Sequence, residues 1–137
     1  MITEFSGQYR WLSNFWPVLV TFEGIVYPST ENAYQASKTY SEYREPYKYY
    51  TPGRAKREGA KVAIRPDWDK LAVMTELQDL KYDDPWLQNL LVLTGDQHII
   101  EGNTWGDTFW GECPLGTGDN NLGKIIMAKR EKIRNSI

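Results

Sequence analysis

The segment Pro28-Ser29-Thr30-Glu31-Asn32-Ala33-Tyr34-Gln35-Ala36-Ser37-Lys38 constrains this chain more than any other, because it marks where a helix starts and what that helix carries. Pro28 cannot donate to a strand ladder and Ser29 is a good cap for free N–H groups, so a helix is expected to open near Thr30. Glu31, Tyr34, Gln35 and Lys38 follow the i, i+3, i+4, i+7 spacing of one helical stripe. A carboxylate, a phenol, an amide and an amine then share one face. Ala33, Ala36 and Ser37 on the flank let the helix lie close to another element, leaving the polar stripe for a cleft. The competing reading is a solvated face with Glu31 and Lys38 in water.

The rest of the chain is read outward from that helix. Residues 5–17 are rich in aromatics and follow neither helical nor strand periodicity, which reads as a loop. Val18 to Phe22 and Ile25 to Tyr27 flank Glu23-Gly24, the pattern of a hairpin that delivers the chain into the Ser29 cap. Tyr40 to Tyr50 holds five of the nine tyrosines and reads as an irregular, lid-like segment. Thr51-Pro52 and Asp84-Pro85 both pair an N-cap with proline at the first helical position. They open a basic helix through Lys61, read as a solvated face or a phosphate patch, and an apolar helix through Leu93, ended by Thr94-Gly95. Between them Pro66-Asp67 opens a helix with Trp68, Leu71, Met74 or Thr75, and Leu77 to Leu80 on its buried stripe, and Gln97 to Glu101 alternates as a third strand for the hairpin.

Two glycine-rich stretches follow. Residues 101–111 interleave Glu101 and Asp107 with Trp105 and Trp110 among three glycines, a costly segment to order and one suited to close backbone approach. Residues 116–123 feed a helix N-terminus, where free backbone N–H groups can hold an anion. This turn lacks the dinucleotide fingerprint, since Asn121 stands where a third glycine is required.

Composition bounds what such a chain does. A length of 137 residues suits one domain, residues 1–137. Sixteen Lys and Arg against 18 Asp and Glu give a formal charge of -2, which argues against strong non-specific nucleic-acid binding. Six Trp, nine Tyr and four Phe make 14% of the chain; some must be core, and Trp and Tyr also supply flat walls for stacking a heterocycle. Cys113 and His98 are the only residues of their kinds, so an internal disulfide is impossible and clustered His/Cys metal spacing is absent. No signal peptide or membrane span is visible, and a reducing cytoplasmic setting is expected.

Taken in order, these stretches resemble the NADAR (YbiA-like) family. The resemblance rests on Phe5-Ser6-Gly7, Leu12-Ser13-Asn14-Phe15, Pro28 to Glu31 with Tyr34-Gln35 and Lys38, Lys56 with Gly59, and Trp68. It continues through Leu93-Thr94-Gly95, Glu101 with Asn103, Asp107 with Trp110-Gly111, and Asn121-Leu122-Gly123 with Met127 and Arg130. It implies an α+β, predominantly helical single domain with a small antiparallel sheet. It also implies an N-glycosidase acting on a ribose C1–N bond, either in phosphoribosylamino-pyrimidine intermediates of riboflavin synthesis or in ADP-ribosyl-guanine, including ADP-ribosylated nucleic acid.

Breaking that bond develops positive charge on the sugar and negative charge on nitrogen, which calls for a carboxylate and a proton donor. Glu31 and Asp107 are the candidates, and the resemblance adds Lys38 as an amine able to form a Schiff base with opened ribose. By the same resemblance Asn14, Phe15, Tyr34, Gln35, Trp68, Glu101, Asn103, Trp105, Trp110, Gly111, Asn121, Leu122 and Gly123 bind substrate. The α-helical stripe is expected to line one pocket with Asp107 and Trp110, and phosphate to be met by the Asn121 to Gly123 amides with Arg10, Lys56 or Arg130. Neither route needs a metal or cofactor. The alternatives are a non-catalytic module that binds ADP-ribose or a related nucleotide, and an interaction domain whose aromatics are core.

Overall fold

A computed structural model describes all residues, Met1–Ile137. The protein is α+β and predominantly helical. The elements are a 3-10 segment Gly7–Leu12, strands β1 (Pro17–Phe22) and β2 (Ile25–Ser29), and helices α1 (Thr30–Ser37), α2 (Pro52–Gly59), α3 (Lys70–Lys81), α4 (Pro85–Leu93) and α5 (Asn121–Asn135), with short 3-10 turns at Ser41–Tyr43 and Glu45–Tyr49. By contacts the chain divides into two compact units: Asn14–Lys81, and Met1–Ser13 with Tyr82–Ile137. No helix is long and apolar enough to cross a membrane.

The unit Asn14–Lys81 is built around α1. Strands β1 and β2 pair antiparallel around the Glu23-Gly24 turn, where both residues take positive φ. Pro28 lies within β2 rather than ending it. The ladder accommodates its missing donor by an irregularity, since Val20 faces Tyr27 and Pro17 faces Ser29 with a register shift between them. Ser29 then caps α1, its Oγ accepting from Asn32 N at 3.1 Å. Every residue of α1 is buried, which excludes the solvated-face reading of its polar stripe. Thr51 caps α2 in the same way, accepting from Arg54 N at 3.2 Å.

Helix α3 starts later than the proline signal implies. Asp69 Oδ1 accepts from Leu71 N and Ala72 N at 3.1 and 3.2 Å, so the cap is Asp69 and Pro66-Asp67 forms a turn before it. The buried face is correspondingly Val73, Met74, Leu77, Gln78 and Lys81, while Leu71 is exposed. The tyrosine-rich segment is irregular, as expected, but it is tied down rather than free-standing: Asn32 Nδ2 donates to the Tyr47 and Tyr50 carbonyls, both at 2.8 Å, and Tyr47 and Arg44 are buried.

In the other unit, Asp84 caps α4 through Leu87 N at 3.0 Å, and α5 buries Leu122, Gly123, Ile126, Arg130 and Ile133. Gln97 to Glu101 does not join the hairpin as a third strand. Its backbone groups find other partners: Ile2 N donates to His98 O and Ile100 N to Ile2 O, each at 2.8 Å. Asn120, held at φ 50°, donates from Nδ2 to Ile99 O and accepts from Glu101 N. One side-chain amide thus does what a neighbouring strand would do.

Candidate functional site

Helix α1 brings Glu31, Tyr34, Gln35 and Lys38 onto one stripe, Lys38 being the first residue past its end. Glu31 is 8% exposed, and Gln35 Nε2 donates to its Oε1 at 2.9 Å. Burial raises the Glu31 pKa above the usual carboxylate value, and the Gln35 hydrogen bond and the charges of Lys56 and Lys38 only partly oppose it. For Lys38 burial acts the other way, lowering the amine's pKa; Glu31 opposes this, while Lys56 and Lys70 add to it. An acid that holds its proton more tightly and an amine that holds its proton less tightly therefore sit on one helical face.

The surroundings of Lys38 are aromatic and firmly held. Its Nζ lies 5.6 Å from the Tyr34 ring centroid and 5.8 Å from that of Trp68. The two rings are 5.5 Å apart at 55°. Trp68 Nε1 donates to Ser37 Oγ at 3.0 Å, and Arg65 grips the end of α1 through its Nε to Ser37 O and its backbone N to Lys38 O, each at 2.9 Å. Asn14, just ahead of β1, is set by α3: Gln78 Nε2 donates to its Oδ1 at 2.7 Å, and Asn14 O accepts from Glu31 N at 3.0 Å. Phe15 is 43% exposed. Ser37, Arg65 and Gln78 carry no motif in the sequence; their roles follow only from what they touch.

The second cluster lies wholly in the other unit. Asn103 and Asp107 clasp each other, Asp107 N donating to Asn103 Oδ1 at 3.0 Å and Asn103 Nδ2 to Asp107 O at 2.9 Å and Glu101 Oε2 at 3.0 Å. Asp107 Oδ1 also accepts from Phe109 N at 3.1 Å and Trp110 N at 2.8 Å. One oxygen of this carboxylate is thus committed to shaping the loop. Phe109 and Trp110 meet edge to face at 4.7 Å, and Trp105 is exposed. Gly111 fits because any Cβ would overlap Glu101 O and Oε2, and Gly123 because one would overlap Ile99 O.

At this end, two of the three amides expected to meet an anion have backbone partners. Asn121 N donates to Phe109 O and Leu122 N to Trp110 O at 3.2 and 3.0 Å, so the first amides of α5 anchor the aromatic loop instead of standing free. Arg130 is buried and donates to Thr94 Oγ1 at 2.9 Å, fastening α5 to the end of α4. Arg10 donates to Gly7 O. Lys56, on the exposed side of α2, is the basic candidate whose charge acts on Glu31 and Lys38. Nowhere do three or more His, Cys, Asp or Glu gather as a metal cluster.

Comparison with known proteins bears on these clusters. Residues 3–134 match the model of the NADAR domain. The N-glycosidase YbiA of Escherichia coli (strain K12) is 33% identical over 93% of this chain and 84% of its own length. An N-glycosidase of Nostoc punctiforme is 31% identical over 93% of this chain and 87% of its own. A riboflavin biosynthesis protein of Vibrio vulnificus is 33% identical over 96% of this chain, which spans only 37% of that protein. The NMR structure of E. coli YbiA superposes with a TM-score of 0.84 at 28% identity, covering 98% of this chain and 84% of that one.

Proposed function

The chain belongs to the NADAR domain family, and from that premise we propose that it is an N-glycosidase hydrolysing a ribose C1–N bond in a phosphorylated ribosyl compound. The carrying observation is the α1 stripe, where burial moves the Glu31 carboxyl up and the Lys38 amine down on one helical face. The names of the YbiA relatives support N-glycosidase chemistry, and that of the Vibrio relative favours a ribosylamino-pyrimidine phosphate over ADP-ribosyl-guanine as substrate.

In the proposed reaction the ribosylamine ring opens, and neutral Lys38 adds to C1. The C1–N bond to the leaving amine breaks as that nitrogen takes a proton, leaving an iminium on Lys38; water then adds to C1 and releases the sugar aldehyde and the free amine. Glu31 moves the protons, and its ionised form steadies the cationic sugar carbon. In a direct route without the lysine, Glu31 takes a proton from water as the water oxygen bonds to C1, the C1–N bond breaks, and the leaving nitrogen takes up that proton. The Tyr34 and Trp68 rings offer the stacking wall for the heterocycle, and Lys56 a charge for the phosphate. Asp107 stays the second candidate carboxylate within this proposal, and Glu101, Asn103, Trp105, Trp110, Gly111, Asn14 and Phe15 keep the substrate-binding assignments that the family resemblance implies. No metal or cofactor takes part, and the partner is a small phosphoribosyl or ADP-ribosyl molecule in a cytoplasmic setting.

The test is incubation with ribosylamino-pyrimidine phosphate and, separately, with ADP-ribosylated guanine DNA, read by mass spectrometry. Release of the free base or amine from either supports the reading and identifies the substrate. Tight binding of both without release replaces it with the binding-module alternative.

A further inference from the structure

Gln35 is only 4% exposed, and the two ends of its amide meet different surroundings. Nε2 donates to Glu31 Oε1 at 2.9 Å. Oε1 is buried without a hydrogen-bond partner. Against that oxygen lies Gly59, the last residue of α2, where a Cβ would overlap Gln35 Oε1 and stand 2.8 Å from Gln35 Cδ.

Two unfavourable choices coincide at this contact. A glycine in a helix is worse than alanine, and a buried amide oxygen with no donor is worse than an apolar chain of the same length. Methionine at position 35 would remove that orphaned acceptor, but it would leave Glu31 Oε1 without its donor. What methionine cannot do is donate a hydrogen bond to a carboxylate. The amide is therefore explained by its Nε2 end, and the glycine by the need to leave that amide where it is.

We infer that Gly59 and Gln35 form a positioning pair for Glu31, the glycine leaving room for the amide and the amide holding Oε1 so that Oε2 is the oxygen turned to substrate. Gln35 is then a positioning residue rather than a substrate ligand. This rests on the proposed role of Glu31 as the reacting carboxylate. The hydrogen bond favours the ionised carboxylate, as do the charges of Lys56 on α2 and Lys38 at the end of α1, all against the effect of burial.

The test reads Glu31 directly and without substrate, by carbon NMR titration of its carboxyl in the full chain, the signal being identified by its loss in Glu31→Gln. Gln35→Met exchanges one unpaired buried acceptor, Gln35 Oε1, for another, Glu31 Oε1, so the protein should still fold, and the Glu31 midpoint should move upward. Gly59→Ala should move it the same way, and Gly59→Ala combined with Gln35→Ala should shift it no further than Gln35→Ala alone, because the glycine acts only through the amide. With a cleaved substrate in hand, Gln35→Met should lower turnover on the order of tenfold, the scale of one lost hydrogen bond to a charged group. A folded Gln35→Met protein with an unchanged Glu31 midpoint overturns the inference, as do additive shifts in the double variant. Should Gly59→Ala not fold, Gln35→Met alone decides. A wild type that cleaves nothing sinks the proposed reaction while the midpoint shift still reports on the pair.

Discussion

Helix α1 and the loop from Glu101 to Asn120 carry the same kinds of side chain, but they are built in opposite ways. In α1 the backbone satisfies itself through helical hydrogen bonds and a Ser29 cap, so Glu31 and Lys38 are relieved of structural duty. In the loop the side chains hold the backbone: Asn103, Asp107 and Asn120, joined by Asn121 at the start of α5, each bond main-chain groups. Glu31 gives Oε1 to a side chain, Gln35, whereas Asp107 has already spent Oδ1 on two backbone amides. The two regions teach that the same acid, read in the sequence as one of a catalytic pair, brings different freedom to the site depending on what its backbone asks of it.

The comparison breaks most visibly at Lys38. Lys38→Arg keeps the charge but cannot condense with an aldehyde, so turnover should fall to the uncatalysed level, and borohydride added to the working wild type should leave a sugar adduct on Lys38 alone. An active arginine variant without adduct would leave the direct, Glu31-only route. In the loop the largest expected effect is on stability: Gly111→Ala places a Cβ on Glu101 and should cost about 1–3 kcal/mol in urea denaturation. Asp107 separates its two roles by substitution. Asp107→Ala loses both amide bonds and should cost about 1 kcal/mol, whereas Asp107→Asn keeps an acceptor at Oδ1 and should unfold like the wild type. Activity lost in that folded asparagine variant would assign the charge a chemical part as well.

The smallest effect concerns pH. Burial holds the Glu31 carboxyl above its ordinary value in the folded protein, so the folded state binds the proton more tightly than the unfolded chain. Stability is then lost as pH rises through the ordinary carboxylate value up to the folded one. Glu31→Gln should match the wild type in thermal unfolding near pH 3 and exceed it slightly near pH 7, about where the unfolded carboxyl is respectively protonated and ionised. Such a gain in stability with a loss of activity is the usual mark of a functional residue.

The helix was legible in the sequence because its signals are local. A proline, a capping serine and a four-residue stripe suffice to place α1 and its face, and the Thr51 and Asp84 caps place α2 and α4 equally well. Asp69 shows the limit: a cap three residues beyond a proline overrides it, and the buried face of α3 moves with the cap. The strand expected at Gln97 to Glu101 failed for a different reason, since its partners are Ile2 and the Asn120 side chain, each far off in the chain. Long-range pairing of that kind leaves no period to read. Lys81 is a further case: it ends α3 fully buried, with its amine lowered to about 7 by burial, and no neighbour in sequence marks it.

Glu31 is the group proposed to act at the ribose carbon, and its replacement is the most direct test. Wild type and Glu31→Gln, the latter first checked to be folded, are to be incubated with ribosylamino-pyrimidine phosphate while mass spectrometry follows release of the free aminopyrimidine. The account predicts steady release by the wild type and a rate lower by about a hundredfold or more in the variant, the scale of a lost acid–base group. Equal rates in the two proteins would contradict it.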